Sequence, residues 1–363
     1  MATRRDLFPS SFCDTLSSLH SNNSTHPIQY TNQVLDSLFT SSNPPKIITP
    51  DIPLGVGCVA SVYEAIYNDQ PVAIKCVHPR IKDTIEEDVK LMRLIAVSLE
   101  SIPLIKGLKY FCFSDIVDEF GEIMVGQLDM RKEHKALETF RTHNKNAEID
   151  FPTPIFSAED VLIMSYEEGV SISEFIATGN KDWNKKLAGL VLNTFLKMVF
   201  VDNFIHCDLH PGNVLVKDDG KVVFIDAGIV TELSASDAKN LKDLFRCVVL
   251  NDGKKAGRLM IERAKFEVCS KKEGGVEEFS KKVESIVEEF HDGRKRGGLT
   301  LGAVKIGELM GRMLELCRTH GVSLEPAMCN VILSTLVLEG LGRSLDDEMD
   351  LMRAALRFIM MSK

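Results

Sequence analysis

The chain has 363 residues, 43 Lys and Arg against 52 Asp and Glu for a formal charge of −9, and is 44% hydrophobic and 26% charged. That balance excludes wholesale disorder, and the acidic excess argues against a nucleic-acid partner, which would need a basic face. The longest apolar run without a charge, Pro326 to Leu338, has 13 residues, short of the roughly 20 that cross a bilayer, so no transmembrane span is expected.

Nine cysteines are scattered, odd in number and never spaced C-x-x-C, the pattern of free thiols in a reducing compartment rather than of a disulfide framework or zinc ribbon. The opening MATRRDLFPSSFCDTL has the arginines and serines of a transit peptide, but Asp6, Pro9 and Asp14 spoil that pattern. Residues 1–45 are polar, with a short helix expected around Tyr30 to Phe39, and end at the breaker Asn43-Pro44-Pro45.

Two β-rich runs, 59–67 and 71–77, flank Asn68-Asp69-Gln70 and read as a hairpin. Apolar stripes then predict helices over 83–99 and, as one continuous element N-capped by Ser114, over 114–140. Residues 161–169 read as a buried strand running into a loop, and 187–204 as a core helix. A second hairpin spans 214–226 and turns at Asp218-Asp219-Gly220. Beyond Asp226 no strand is predicted, and helices run from about Ser236 onward. The fold class is therefore α+β, a β-rich first half and a helical second half, with a cleft expected between the lobes.

Four segments carry chemistry. Gly55-x-Gly57 stands at the head of a strand; glycines there form ordinary turns, and they also let a backbone approach phosphate. VAIK ends in Lys75, on a strand where a cation can reach phosphates. HCDLHPGN contributes Asp208 and Asn213, and VFIDAG contributes Asp226, thirteen residues after Asn213. The intervening hairpin returns Asp226 beside Asn213, so both can offer hard oxygens to Mg²⁺ on a nucleotide's phosphates, while Asp208 orients a nucleophile. With Lys75 these are the parts of a kinase-type phosphoryl-transfer site, in which positioning and charge neutralisation do most of the catalysis. His206 reads as a histidine that steadies the loop rather than as one of a metal cluster with Cys207 and His210. For the carboxylate that fixes Lys75, spacing alone leaves Glu86, Glu87 and the pair Asp129 and Glu133 open, the last two read as one turn apart on one helix face.

At these residues the chain resembles the UbiB (ABC1, or AarF-domain) atypical kinases over nearly its whole length. HCDLHPGNVLV with VFIDAG matches the catalytic and metal loops of that family, QLDMRKEHKALETF resembles its acidic helix, and TRRDLFP and EGLGRSLD are similar to the animal AarF-domain-containing protein kinase 2 branch. The resemblance implies a bilobal protein-kinase-like fold with an N-terminal helical extension (1–45), an N-lobe with a helical insert (46–168) and a helical C-lobe (169–363). It implies ATP and Mg²⁺ as cofactors and makes Asp208, Lys75 and Glu133 the catalytic set, with Glu133 the partner of Lys75. Gly55, Gly57, Lys75, Asp129 and Glu167 become nucleotide contacts, and Asn213 and Asp226 metal ligands. A mitochondrial location follows by resemblance, with a lipid or isoprenoid-type small molecule and coenzyme Q biosynthesis proteins as expected partners.

Three departures bear on this reading. The family's K-x-G-Q motif lies just upstream of the stretch matching TRRDLFP, so the chain reads as N-terminally truncated. The family's E-x-D is Gln127-Leu128-Asp129, and its alanine-rich loop is Gly55-Val56-Gly57-Cys58. The alternatives are a catalytically weak nucleotide-binding scaffold and a small-molecule kinase of the choline or aminoglycoside type. The short stretch between Gly228 and the next helix leaves no room for a peptide-docking activation segment, which favours a small acceptor or plain ATP hydrolysis.

Overall fold

The structure, a computed structural model, describes residues 25–40, 44–49, 52–100, 113–145, 147–178, 181–296, 306–323, 326–346, 348–349 and 351–361. TRRDLFP, Cys13, Asn43 and Cys112 lie outside these residues. In chain order the elements begin with α1 (Ile28–Leu38), β1 (Lys46–Ile47), β2 (Gly55–Val56), β3 (Ala60–Tyr67) and β4 (Gln70–Val77). Next come α2 (Ile81–Glu100), α3 (Phe113–Gly126), α4 (Met130–His143), β5 (Ile149–Asp150), β6 (Pro154–Ser157), β7 (Val161–Ser165) and β8 (Val170–Ser171). Then follow α5 (Ile172–Thr178), α6 (Lys181–Lys197), β9 (Ile205–His206), β10 (Val214–Val216), β11 (Val222–Phe224) and β12 (Val230–Thr231). Six helices complete the described chain: α7 (Ala235–Val249), α8 (Gly253–Glu262), α9 (Gly275–Arg296), α10 (Ile306–His320), α11 (Pro326–Leu345) and α12 (Leu351–Met361). The architecture is α+β, with a small β-rich N-terminal region and a helical C-terminal part.

The chain divides into two compact units. The first gathers residues up to 91, 120–173 and 211–229, and holds the six-stranded and four-stranded sheets. Its larger sheet runs β1-β3-β4-β7-β6, with β2 also paired to β3. Asn68 and Asp69 both take positive φ, 51° and 59°, so β3 and β4 are joined by a two-residue turn whose twist suits paired strands; Asn and Asp tolerate that conformation well. Val72, Ile74 and Cys76 of β4 are fully buried with Leu35, Phe39, Val161 and Ile163. Burying a side chain such as Leu35 or Phe39 contributes about 2 kcal/mol. Because side chains alternate across a strand, the same β4 presents Lys75 on the other face.

The smaller sheet has the order β5-β11-β10-β8. Gly220, at φ 81°, closes the β10–β11 hairpin in the left-handed conformation that the turn requires. Phe151 stacks on Phe140 of α4, with ring centroids 4.8 Å apart, and meets Phe224 of β11 edge-on at 5.5 Å. That sandwich fixes α4 against the strand that leads to Asp226.

The expected continuous helix over 114–140 is instead two helices. It breaks after Gly126, and Asp129, extended at φ −106° and ψ 96°, is the N-cap of α4, its carboxylate accepting from the Arg131 N–H. Ser114 lies inside the first turn of α3, which begins at Phe113, and is not its cap.

The second unit comprises residues 92–119, 174–210 and 230 onward. Leu187, Ala188, Val191, Leu192 and Phe195 of α6 are buried, and α6 packs on α11 and α12. The core helix expected over 187–204 begins earlier, at Lys181, and its last turn, Met198–Asp202, is a π-helix. The wider turn brings Lys197 to Asp202, five residues on, at 2.6 Å. Contrary to the sequence expectation, a short strand follows Asp226: β12 pairs antiparallel with β9 through Val230 and His206. Phe279, Val283, Ile286, Val287 and Phe290 line the buried face of α9 as their spacing predicts. Among the described residues no helix is long and apolar enough to cross a membrane.

Candidate functional site

Three side chains that lie far apart in sequence meet in the first unit. Lys75 Nζ donates to Glu133 Oε1 at 2.9 Å and to Asp226 Oδ2 at 2.7 Å. Each is set by its element: Lys75 by the alternation of β4, Glu133 by the first turn of α4, and Asp226 by the end of the β10–β11 hairpin. Glu133 Oε1 also accepts the Ala227 N–H at 3.3 Å, and Asp226 Oδ1 accepts the Gly228 N–H at 2.8 Å. Backbone groups thereby hold both carboxylates in place around the lysine.

The charges do not balance: two carboxylates surround one ammonium. Burial alone would lower the Lys75 pKa, but Asp226 and Glu133 outweigh it and hold the ammonium above the ordinary lysine value. Glu133 is pushed up from the usual carboxylate range by burial and by the neighbouring Asp226 charge, with Lys75 and the Ala227 N–H opposing. Glu133 Oε2 is buried and accepts no hydrogen bond among the described residues. A buried carboxylate oxygen without a donor is costly, and it marks the side of the cluster where a further cationic or donor group is called for.

Gly228 borders that side. A Cβ there would lie 3.1 Å from Asp226 Oδ1, 3.6 Å from Glu133 Oε2 and 3.8 Å from Lys75 Nζ. The absent side chain keeps this space open. Its part, and that of the Ala227 N–H, went unread in the sequence, where the only trace was the D-A-G that ends VFIDAG.

Asn213 stands at the open end of the same hairpin. Val214 pairs with Phe224, and the Ile225 N–H donates to the Asn213 carbonyl at 3.0 Å, which places Asn213 opposite Ile225, the residue before Asp226. Gly55 and Gly57 lie at the β2–β3 hairpin tip, where Gly57 N–H donates to the Ala60 carbonyl at 2.9 Å. Neither takes a left-handed φ, and a Cβ on Gly55 would meet nothing within 4 Å, so the fold itself does not demand glycine there.

The structure does not join Asp129 to this cluster. As the N-cap of α4 it sits outside the helix, so the one-turn, same-face relation to Glu133 fails, and its two oxygens take the Arg131 guanidinium at 2.7 and 2.9 Å. Glu167 accepts from Ser165 Oγ and from Lys217 Nζ, both at 2.6 Å, tying the end of β7 to the residue that follows β10. Glu86 faces Lys90 at 3.9 Å along α2, so of the carboxylates weighed for Lys75 it is Glu133 that makes the contact. Asp208 belongs to the second unit. There His206, fully buried, accepts the Asp208 N–H on Nδ1 at 3.1 Å, and His210 Nε2 lies 3.8 Å from Asp208 Oδ2. His206 is thus the loop-steadying histidine that the sequence suggests. Asn203, at the end of the π turn, holds Leu233 by both halves of its amide, N–H to carbonyl at 2.8 Å and oxygen to N–H at 3.3 Å.

The donor set around Asp226 suits magnesium. Mg²⁺ takes one or two protein oxygens and completes its shell with phosphate and water. Asp226 and, by the family resemblance, Asn213 would offer such oxygens, and the cluster's open space beside Gly228 and its unpartnered Glu133 oxygen would fit a divalent cation with a nucleotide. A lysine pinned by a helix glutamate, beside an aspartate at the end of a hairpin, is the arrangement expected of a kinase-like protein.

The comparisons agree with that class. The ABC1 atypical kinase-like domain matches residues 48–260 and the UbiB helical domain residues 293–350, and the chain belongs to the ABC1 atypical kinase-like family. It is 30% identical to a mitochondrial ABC1 family protein of Schizosaccharomyces pombe, over 99% of this chain and 62% of that one. It is 26% identical to a probable protein kinase UbiB of Aliivibrio salmonicida, over 99% of this chain and 66% of the relative. The chain therefore spans less than two thirds of these relatives. A Mycobacterium tuberculosis protein solved in complex with erythromycin shares the fold, with a TM-score of 0.58 at 20% identity over 95% of this chain and 86% of that one.

Proposed function

We propose that the chain binds Mg-ATP and transfers or hydrolyses its terminal phosphoryl group, as an atypical kinase or ATPase of the UbiB type. The single observation that carries this reading is the Lys75–Glu133–Asp226 cluster, with its unpartnered Glu133 oxygen and the space kept by Gly228. Bound magnesium would neutralise the phosphates. Lys75, held by Glu133, places a fixed positive charge where phosphate oxygens arrive, and Asp226 with Asn213 offers the oxygens that hold the cation. The glycine-bearing tip at 55–57 lets backbone N–H groups approach the phosphates. Asp208, five residues before Asn213 in sequence, accepts the acceptor's proton or orients water; family motif and spacing support this role.

Six residues, 229–234, separate Gly228 from α7, and Ser234 is already its N-cap. So short a connection supports a small acceptor, such as a lipid or isoprenoid-type molecule, over a docked peptide. The mitochondrial name of the fission-yeast relative supports a mitochondrial location, and the family resemblance supports a role beside coenzyme Q or lipid metabolism. Magnesium-dependent phosphate release from ATP tests the reading. It should be present in the wild type and fall at least about a hundredfold in Asp208→Asn, the usual size for a lost proton-accepting group. Nucleotide binding with no turnover in either protein would instead favour the scaffold reading that Gln127 motivates.

A further inference from the structure

The segment before α1 reaches the glycine-bearing tip through two histidines. Thr31 Oγ1 lies 2.7 Å from His26 Nε2, His26 Nδ1 lies 2.7 Å from His78 Nδ1, and His78 Nε2 lies 3.1 Å from the Gly57 carbonyl. A carbonyl only accepts, so His78 Nε2 carries a proton. With both rings neutral, His78 Nδ1 must accept from His26 Nδ1–H, and His26 Nε2 must accept from the Thr31 hydroxyl. The chain of bonds therefore has one direction, from Thr31 to Gly57.

His78 grips the tip twice, because its backbone N–H also donates to the Val59 carbonyl at 2.8 Å. Gly55 and Val56 pair with β3; beyond that pairing the 57–58 turn is closed among the described residues by the Gly57–Ala60 bond, and Gly57 and Cys58 are exposed, so little packing holds the turn itself. His26 and Thr31, by contrast, are buried, and His26 packs edge-on to Tyr30 and His78, with ring centroids 5.2 and 4.9 Å away. A rigid end thus holds a loose one.

We infer that His78 is a positioning residue for the Gly55–Val59 tip and that His26, acting through it, lets the N-terminal segment set the affinity for the nucleotide's phosphates. The inference rests on the nucleotide reading of the tip given above. His26 and His78 do not touch the reacting atoms; they fix the carbonyl of Gly57 and with it the direction of the neighbouring N–H groups. Neither histidine is among Lys75, Glu133, Asn213 and Asp226, the residues assigned to phosphate and metal above; His78 directly follows β4, three residues after Lys75.

The experiment compares wild type, His78→Ala, His78→Gln, His26→Ala and the double variant His26→Ala/His78→Ala. Mg-ATP affinity is measured by calorimetry, and hydrogen exchange of the 54–60 peptide is measured without nucleotide. Losing His78 should weaken Mg-ATP binding about tenfold, the scale of one well-placed hydrogen bond, with kcat little changed. Gln, whose amide N–H can reach the same carbonyl, should restore most of it. His26→Ala should weaken binding less and should add nothing to His78→Ala, since it acts only through that residue. In both alanine variants the 54–60 peptide should exchange several-fold faster. Unchanged exchange, or additive losses of affinity, would overturn the relay. If the wild type binds no Mg-ATP but exchange at 54–60 responds as stated, the nucleotide reading fails and the mechanical coupling stands. Thr31→Val, nearly equal in volume, repeats the exchange test should His26→Ala fold poorly.

Discussion

Lys75 is the residue on which the cluster's stability turns. Replacing it by Met leaves Glu133 buried beside Asp226 with no cation, and breaking a buried pair in this way costs on the order of 3 kcal/mol. The loss depends on pH. Without Lys75 the folded-state pKa of Glu133 lies above its unfolded value, so the folded form takes up a proton and stability falls as pH rises through that range. Thermal melts of Lys75→Met should therefore show the largest deficit at neutral pH and above and a smaller one near pH 5, and adding Glu133→Gln should recover part of it. Gly228→Ala tests the open space: its Cβ would crowd Asp226 Oδ1 at 3.1 Å, so Mg-ATP affinity should drop at least about tenfold, against a stability change within about 1 kcal/mol. At this scale the sequence was legible where chemistry is written into residue type. Lys75 and Asp226, which meet at 2.7 Å, follow from their motifs. The partner of Lys75 was not decidable by spacing, because Glu86, Glu87 and Glu133 are all carboxylates within helices and only packing selects one. The resemblance to the UbiB family supplied that choice.

Elements were legible where local chemistry determines them and illegible where a continuous pattern hides a break. The β3–β4 and β10–β11 hairpins are announced by Asn-Asp and Asp-Asp-Gly turns, whose conformations few other residues tolerate. The break between α3 and α4 is concealed because Phe120, Ile123, Met124, Leu128, Leu137 and Phe140 keep a helical stripe across it; Gly126 and a cap-competent Asp129 are the only local marks. The cap makes a prediction that separates its role from nucleotide contact. Asp129→Ala should cost about 1 kcal/mol of stability, the usual worth of an N-cap, and leave Mg-ATP affinity within about twofold; a larger change in affinity would restore Asp129 to the nucleotide site. The π turn of 198–202 was hidden for a similar reason. An apolar core helix shows no change of period there, and the five-residue spacing of Lys197 and Asp202 acquires meaning only once the pair is seen to close at 2.6 Å.

For the molecule as a whole, the N-terminal segment contributes a pH dependence of its own. Burial, with the adjacent His78, lowers the His26 pKa to about 4 from 6.5. The unfolded chain then binds more protons than the folded one between these values, so stability is fully present above about pH 6.5 and is lost as pH falls toward 4. The loss should not exceed about 3 kcal/mol, and melts of His26→Asn should flatten that acid limb; an unchanged limb would place the titration elsewhere. The two-unit organisation, which sends residues 211–229 back to the β-rich unit after the core helix, was only half visible in the sequence, since the hairpin could be read but its destination depends on long-range pairing with β5 and β8.

The central claim is that Lys75, Glu133 and Asp226 receive a magnesium-bound nucleotide. The most direct measurement is thermal unfolding with and without Mg-ATP for the wild type and Asp226→Asn. At a hundred times Kd, binding adds about 2.7 kcal/mol, which for a chain of this length is about 3 °C; the wild type should show that rise and Asp226→Asn should lose it. A wild type that melts at the same temperature with and without Mg-ATP, or an Asp226→Asn protein stabilised just as much, would contradict the assignment.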